Sequence, residues 1–173
     1  MSPEGPGGPV PDSRIRALCG EVIRVLVARG DTIAVAESLT GGMLAAALTA
    51  VPGASAAFRG AVVAYATDLK TALLGVPSEL LDRHGAVHPS VAAAMAEGAR
   101  RRMGATVAAA TTGVAGPDPA DGQPVGTVHI AVSAGGGTVL RALALSGDRR
   151  QIRVATVEQS LGLLLGVLRE DNI

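Results

Sequence analysis

The chain has 173 residues, 48% of them hydrophobic, and its fifteen Lys+Arg are balanced by fifteen Asp+Glu to a formal net charge of zero. That length and apolar content can bury the core of one ordinary domain, and the charge balance offers no field to gather nucleic acid or an anionic membrane surface. Phe58 and Tyr65 stand alone in a chain without Trp, so a stacking platform for single strands is missing too and a small-molecule site is the better expectation.

In chain order, residues 1–12 hold four Pro and three Gly, too few apolar side chains to offset chain entropy, and read as a disordered leader ahead of one domain over 13–173. No basic segment leads into an apolar run there, and the late run 161–168 is glycine-broken and too short for a bilayer, so a cytoplasmic protein without membrane contact is expected. Ser13 opens a first helix, with Ile15, Leu18, Val22, Val25 and Leu26 at helical spacing, Cys19 as a buried thiol and Gly30 at its end. Residues 32–36 read as a strand, 40–50 as an Ala- and Gly-rich helix, 51–55 as a turn and 58–66 as a second strand. A short helix over 68–74 precedes a turn-rich segment, 75–87.

Pro89 and Gly104 bracket a helix with Ala92, Met95, Ala96 and Ala99 inward. A buried strand over 107–111 is followed by an aperiodic Gly/Pro loop, 113–126, of the length that is usually functional. Strands over 126–133 and 138–145 form a hairpin around glycines 135–137. Asp148 and Gln151 make a near capping box for a last helix, striped by Ile152, Ala155, Leu161, Leu164, Leu165 and Leu168. The pattern is that of a single three-layer α/β/α domain with a mixed, mostly parallel sheet.

Four segments can carry chemistry. In "AESLTGG", 36–42, Ser38 or Thr40 could simply cap the helix, or the corner could hold an oxyanion or phosphate on N–H groups around Thr40, Gly41 and Gly42. It lacks the lysine and spacing of a P-loop. In "AYATDLK", 65 and 70 offer Tyr65 and Lys70; an isolated lysine is ordinarily a surface residue, yet one lowered in pKa by burial and cationic surroundings can deprotonate a serine. His84, His88 and His129 are scattered without ligand spacing, so neither a metal site nor a Ser/His/Asp triad is signalled. "TTGVAGP" puts Thr112, Gly113 and Gly116 at a strand end where α/β sheets hold ligands, or forms a plain turn. "GDRRQIR" sets Arg149 and Arg150 in the first turn of a helix, solvated or offset by a bound anion.

The order and wording of these segments resemble the C-terminal domain of the competence-damage-inducible protein CinA, a family whose stand-alone members include nicotinamide-nucleotide amidase, or NMN deamidase. The resemblance runs from about Arg14 to Leu168 and rests on "AES-x-TGG", "VPGAS", "G-x-VVAY-x-x-x-x-K" with "LLGV", "MAEGAR", "TG-x-AGP", "PVGTV-x-IA" and "GDR-x-x-IR". Leu39 stands where the family commonly has Cys, His129 where an aromatic is usual, and Thr67-Asp68 in place of Ser-Asn.

By this resemblance nicotinamide mononucleotide (NMN) is hydrolysed to nicotinate mononucleotide and ammonia without cofactor or metal. Ser38 is the nucleophile, Lys70 the base, and Tyr65 an orienting or relaying hydroxyl. N–H groups around Thr40 to Gly42 form the oxyanion site, Thr112, Gly113 and Gly116 line the nucleotide pocket, and Arg149 or Arg150 meets the 5′-phosphate. A homodimer or higher homo-oligomer is implied. Larger family members carry an N-terminal domain resembling molybdopterin-binding proteins; residues 1–12 leave no room for one, so the amidase-type function alone is expected. A catalytically silent nucleotide sensor and an interaction protein serving DNA uptake or repair are the alternatives.

Overall fold

The computed structural model describes residues 13–170; the leader expected over 1–12 lies outside them. Five strands, β1 (Ile33–Glu37), β2 (Phe58–Val63), β3 (Val107–Gly113), β4 (Thr127–Ala134) and β5 (Gly137–Ala144), form one sheet in the order β2-β1-β3-β4-β5. β2, β1 and β3 are parallel, while β4 and β5 continue as antiparallel strands. Helices α1 (Ser13–Arg29), α2 (Met43–Thr49) and α6 (Arg149–Glu170) cover one face; α3 (Thr67–Leu74), α4 (Ser78–His84) and α5 (Pro89–Met103) cover the other. The expected α/β/α sandwich is the observed fold.

Strand alternation gives the two faces unlike thickness. Ile33, Val35, Val128, Ile130 and Val132 meet Leu26, Leu44, Leu161 and Leu164 in a core of large aliphatics. The opposite face presents Ala34, Ala36, Ala108, Ala110 and Ala131, against which α5 lays its own Ala92, Ala96 and Ala99. Small residues on both sides let α5 sit close, and Gly98 lets it touch the end of α3: a Cβ there would lie 1.9 Å from the Leu74 carbonyl oxygen. This draws α3, with Lys70, tightly toward the sheet. Cys19 is fully buried and burial pushes its thiol up to about 11, as a structural thiol should be.

Several boundaries differ from the sequence reading. Gly41 and Gly42 have φ +56° and +95°, which keeps the chain out of the helical region, so α2 starts at Met43 rather than Thr40. The second strand ends at Val63, where a last ladder bond runs from Ala64 N–H to the Glu37 carbonyl at 2.9 Å before the chain departs for α3. The segment 75–87 contains α4, with Glu79 in its first turn and Arg83 and His84 in its last, favourable ends on a helix of only seven residues. The capping box at Asp148 is present: Asp148 N–H donates to Gln151 Oε1 and Gln151 N–H to Asp148 Oδ1, both at 2.8 Å.

Candidate active site

The site lies at the C-terminal ends of β1 and β3, where neighbouring parallel strands release their chains. At the end of β1, Glu37 is fully buried and accepts three backbone N–H groups: Gly42 at 3.1 Å, Leu44 at 3.1 Å and Ala45 at 2.8 Å. A buried carboxylate is tolerable only with such partners, and it, not Ser38 or Thr40, satisfies the start of α2. Two of the expected oxyanion donors, the Gly41 and Gly42 N–H groups, are already engaged. Gly42 N–H is held by Glu37 and Gly41 N–H by the Ser38 carbonyl at 3.0 Å; the Thr40 hydroxyl pairs with that of Thr111 at 2.8 Å, while the Thr40 N–H has no acceptor among the described residues. Thr40, Gly41 and Gly42 support the corner from outside the cavity lining. Leu39, which does line it, has an N–H with no acceptor among the described residues.

Ser38 and Lys70 do come together. Lys70 is 1% exposed on α3, and its Nζ donates to the Ala64 carbonyl at 2.7 Å and to Ser38 Oγ at 3.2 Å, with the Tyr65 carbonyl at 3.5 Å. Burial pushes its pKa below the ordinary 10.5, and the negative charge of Asp121 works against that shift. A signal for this residue was present in the sequence and unused: Lys70 is the only lysine, every other member of the fifteen Lys+Arg being arginine. Among the fifteen Lys+Arg it is the one side chain able to lose its proton, since arginine stays protonated.

The cavity in front of the pair has a volume of about 270 Å³. Thr112, Gly113 and Gly116 line it as expected; the buried Thr112 hydroxyl donates to the Ala86 carbonyl at 2.7 Å and so fixes the opposite wall. Arg149 reaches the rim, its Nη1 donating to the Gly116 carbonyl at 2.6 Å and its Nη2 to the Tyr65 hydroxyl at 2.8 Å. The Tyr65 hydroxyl accepts from Arg149 at the rim, and no hydrogen bond joins it to Ser38 or Lys70. Arg150 is exposed and outside the lining. No cluster of metal-ligating side chains occurs among the described residues.

Three contributors escaped the sequence reading. Glu37 lay inside "AES", in the polar corner just past the expected strand, but was given no role. Asp121, at φ +52°, holds Ala86 N–H at 2.8 Å and puts a carboxylate at the rim beside Asp118; the Asp-Gly pair inside the long loop was its only mark. Arg153 closes "GDR-x-x-IR" and reaches the serine corner. Of the departures noted above, Leu39 and Thr67 line the cavity, Asp68 is exposed, and His129 is half-buried opposite Thr112 in the β3–β4 ladder.

A family model described as the CinA C-terminal domain matches residues 15–168. A CinA-like protein of Frankia casuarinae is 54% identical over 152 residues, and one of Anaeromyxobacter sp. strain K 51% over 149 residues. These matches cover 88% and 86% of this chain but 35% and 36% of the relatives, so the chain spans about a third of their length. Among solved structures, the competence/damage inducible protein CihA of Agrobacterium tumefaciens superposes with a TM-score of 0.89 at 36% identity, over 92% of this chain and 99% of that one. A CinA superfamily protein of Escherichia coli does so with 0.87 at 33%, over 92% and 94%. The chain belongs to the CinA C-terminal domain family.

Proposed function

We propose that this CinA-family domain is a serine amidohydrolase that converts NMN to nicotinate mononucleotide and ammonia. The observation that carries the reading is the buried Lys70 amine, with lowered pKa, 3.2 Å from Ser38 Oγ at the wall of a cavity. Neutral Lys70 takes the proton as Ser38 Oγ attacks the carboxamide carbon. The tetrahedral oxyanion is received by the Leu39 N–H, the donor next to the nucleophile that lacks another acceptor. Collapse breaks the C–N bond, and the Lys70 proton leaves with the nitrogen as ammonia. Water then attacks the acyl-serine, giving its proton to Lys70, which returns it to Ser38 Oγ as the carboxylate product departs.

Arg149 supports a phosphate at the rim, since its guanidinium has donors beyond the two spent on Gly116 and Tyr65. Tyr65 holds that guanidinium in place, and Thr112, Gly113 and Gly116 form the wall beneath it. The test is ammonia release from NMN with stoichiometric nicotinate mononucleotide. Release by the wild type and none by Ser38→Ala is expected; a wild-type protein that binds NMN and releases no ammonia would leave a nucleotide-binding module instead.

A further inference from the structure

Arg153 lies four residues after Arg149 on α6, one turn further from the cavity rim, and belongs to neither the nucleophile pair nor the cavity lining. Its Nε donates to the Leu39 carbonyl and its Nη2 to the Thr40 carbonyl, each at 2.9 Å. These are consecutive peptides immediately after Ser38, gripped from a helix more than a hundred residues away in sequence. A turn of this kind has few bonds of its own: Gly41 N–H to Ser38 O and Met43 N–H to Thr40 O hold it internally. The planar fork of a guanidinium fits two neighbouring carbonyls in a way that a single ammonium cannot.

Holding the Leu39 carbonyl fixes the residue whose N–H adjoins the nucleophile, because rotation of either peptide flanking Leu39 would break a bond at Arg153 or at Gly41. A charged donor on these carbonyls also polarises the corner. Gly41 has the matching requirement. A Cβ on it would lie 3.2 Å from Arg153 Nη2, and its φ of +56° disfavours any side chain.

We infer that Arg153 is a positioning residue for the Ser38 nucleophile, clamping the Leu39–Thr40 segment so that Ser38 Oγ and the Leu39 N–H keep the geometry of attack, and that Gly41 is glycine partly to admit this clamp. The inference rests on the assignment of Ser38 as nucleophile and is independent of which amide is cleaved.

The experiment compares wild type, Arg153→Lys, Arg153→Ala and Gly41→Ala. It reads the rate at which a fluorophosphonate labels Ser38, kcat and KM for NMN, and thermal melting. A displaced nucleophile costs on the order of 10²-fold, so labelling and kcat should fall together by about 10 to 10²-fold in both Arg153 variants while KM changes less than about threefold. Methylguanidinium should restore part of the rate to Arg153→Ala and none to Arg153→Lys, and Gly41→Ala should reproduce the loss with Arg153 present. Variants that melt lower but label and turn over at the wild-type rate when folded would overturn the inference, as would a loss confined to KM. If ammonia is never released from NMN while labelling keeps its dependence on Arg153, the substrate reading fails and the clamp stands. A Ser38 that does not label in the wild type overturns the clamp.

Discussion

The two strand ends that meet at the cavity are built differently. After β1, the corner 37–43 is over-determined: Glu37 takes three N–H groups, Arg153 holds two carbonyls, and Thr40 pairs with Thr111. After β3, the loop 114–126 meets the rest of the site through a few outward contacts, Asp121 to Ala86 N–H and Arg149 to the Gly116 carbonyl. On the proposed function the first corner carries the nucleophile and must be held to fractions of an ångström. On the same proposal the second carries the cavity walls that would sort substrates, where looser fastening suffices. Variants at the first should therefore act on kcat or on folding, and variants at the second on KM, pH dependence or stability alone.

The largest effect belongs to Lys70→Arg. Arginine keeps the charge but stays protonated at any workable pH, so kcat should fall by roughly 10² to 10⁴-fold, the span for losing general-base help, with NMN binding retained. In the wild type, kcat should rise with pH through an apparent pKa below the ordinary lysine value of 10.5, because the base acts only when neutral and burial favours that form. The only lysine in the chain gives this a direct check: lysine-labelled protein should show one side-chain amine titrating in step with the rate. A near wild-type kcat in Lys70→Arg would move the base elsewhere.

Glu37→Gln comes next and breaks the first corner without touching its reacting atoms. Gln has one acceptor oxygen in place of two, and its NH₂ would face a backbone N–H. About 2–3 kcal/mol of stability should be lost, the range for hydrogen bonds to a charged group. Urea melts measure this, and an unchanged midpoint would show that Glu37 is dispensable to the corner.

The contrast between the corners also explains what was legible in the sequence. Apolar runs exposed the strands, and periodicity the α5 face of Ala92, Met95, Ala96 and Ala99, because each side chain reports its own burial. Ser38 and Lys70 were found through local wording. The partners of the glycine corner were not: Glu37 bonds to N–H groups on the far side of the turn, at Gly42, Leu44 and Ala45, and Arg153 reaches the corner from α6. Which N–H of a turn is free depends on φ at Gly41 and Gly42, which no composition encodes.

At the loop corner, replacing Arg149 and Arg150 together should raise KM for NMN by about tenfold, near the 1.5–3 kcal/mol of a charged hydrogen bond, and change KM for nicotinamide riboside far less. Arg150 alone should have no effect, since it is exposed and outside the cavity lining. Equal losses on both substrates would remove the phosphate role. Asp121→Asn should act more gently. Asn can still accept from Ala86 N–H, so the loop stays anchored, but the negative charge that raises the Lys70 pKa is gone. The rising limb of the pH–rate profile should then shift to lower pH, by less than about one unit because the carboxylate is exposed and screened. A shift to higher pH would contradict this electrostatic arrangement.

The smallest effect concerns His129, which faces Thr112 across the β3–β4 ladder beneath the loop corner. Its Nδ1 is buried without a hydrogen-bond partner, and burial, followed by the neighbouring His88, lowers its pKa below the ordinary 6.5. An unpaired buried polar atom costs about 1–3 kcal/mol, and a ring held neutral adds a pH dependence. The unfolded chain binds the proton at about 6.5 and the folded chain only at lower pH, so the unfolded state holds more protons between those two values. Stability contributed by this residue is complete above 6.5 and is lost as the pH falls toward the folded pKa. His129→Phe removes both penalties and should raise stability by about 1 kcal/mol at pH 8, with a larger advantage at pH 5.5. Neither kcat at Ser38 nor KM for NMN should change by more than about twofold. Urea melts of the two proteins at the two pH values check this. A Phe variant that is less stable at pH 8, or whose advantage shrinks in acid, would show that His129 is a satisfied part of the second corner rather than a loose one.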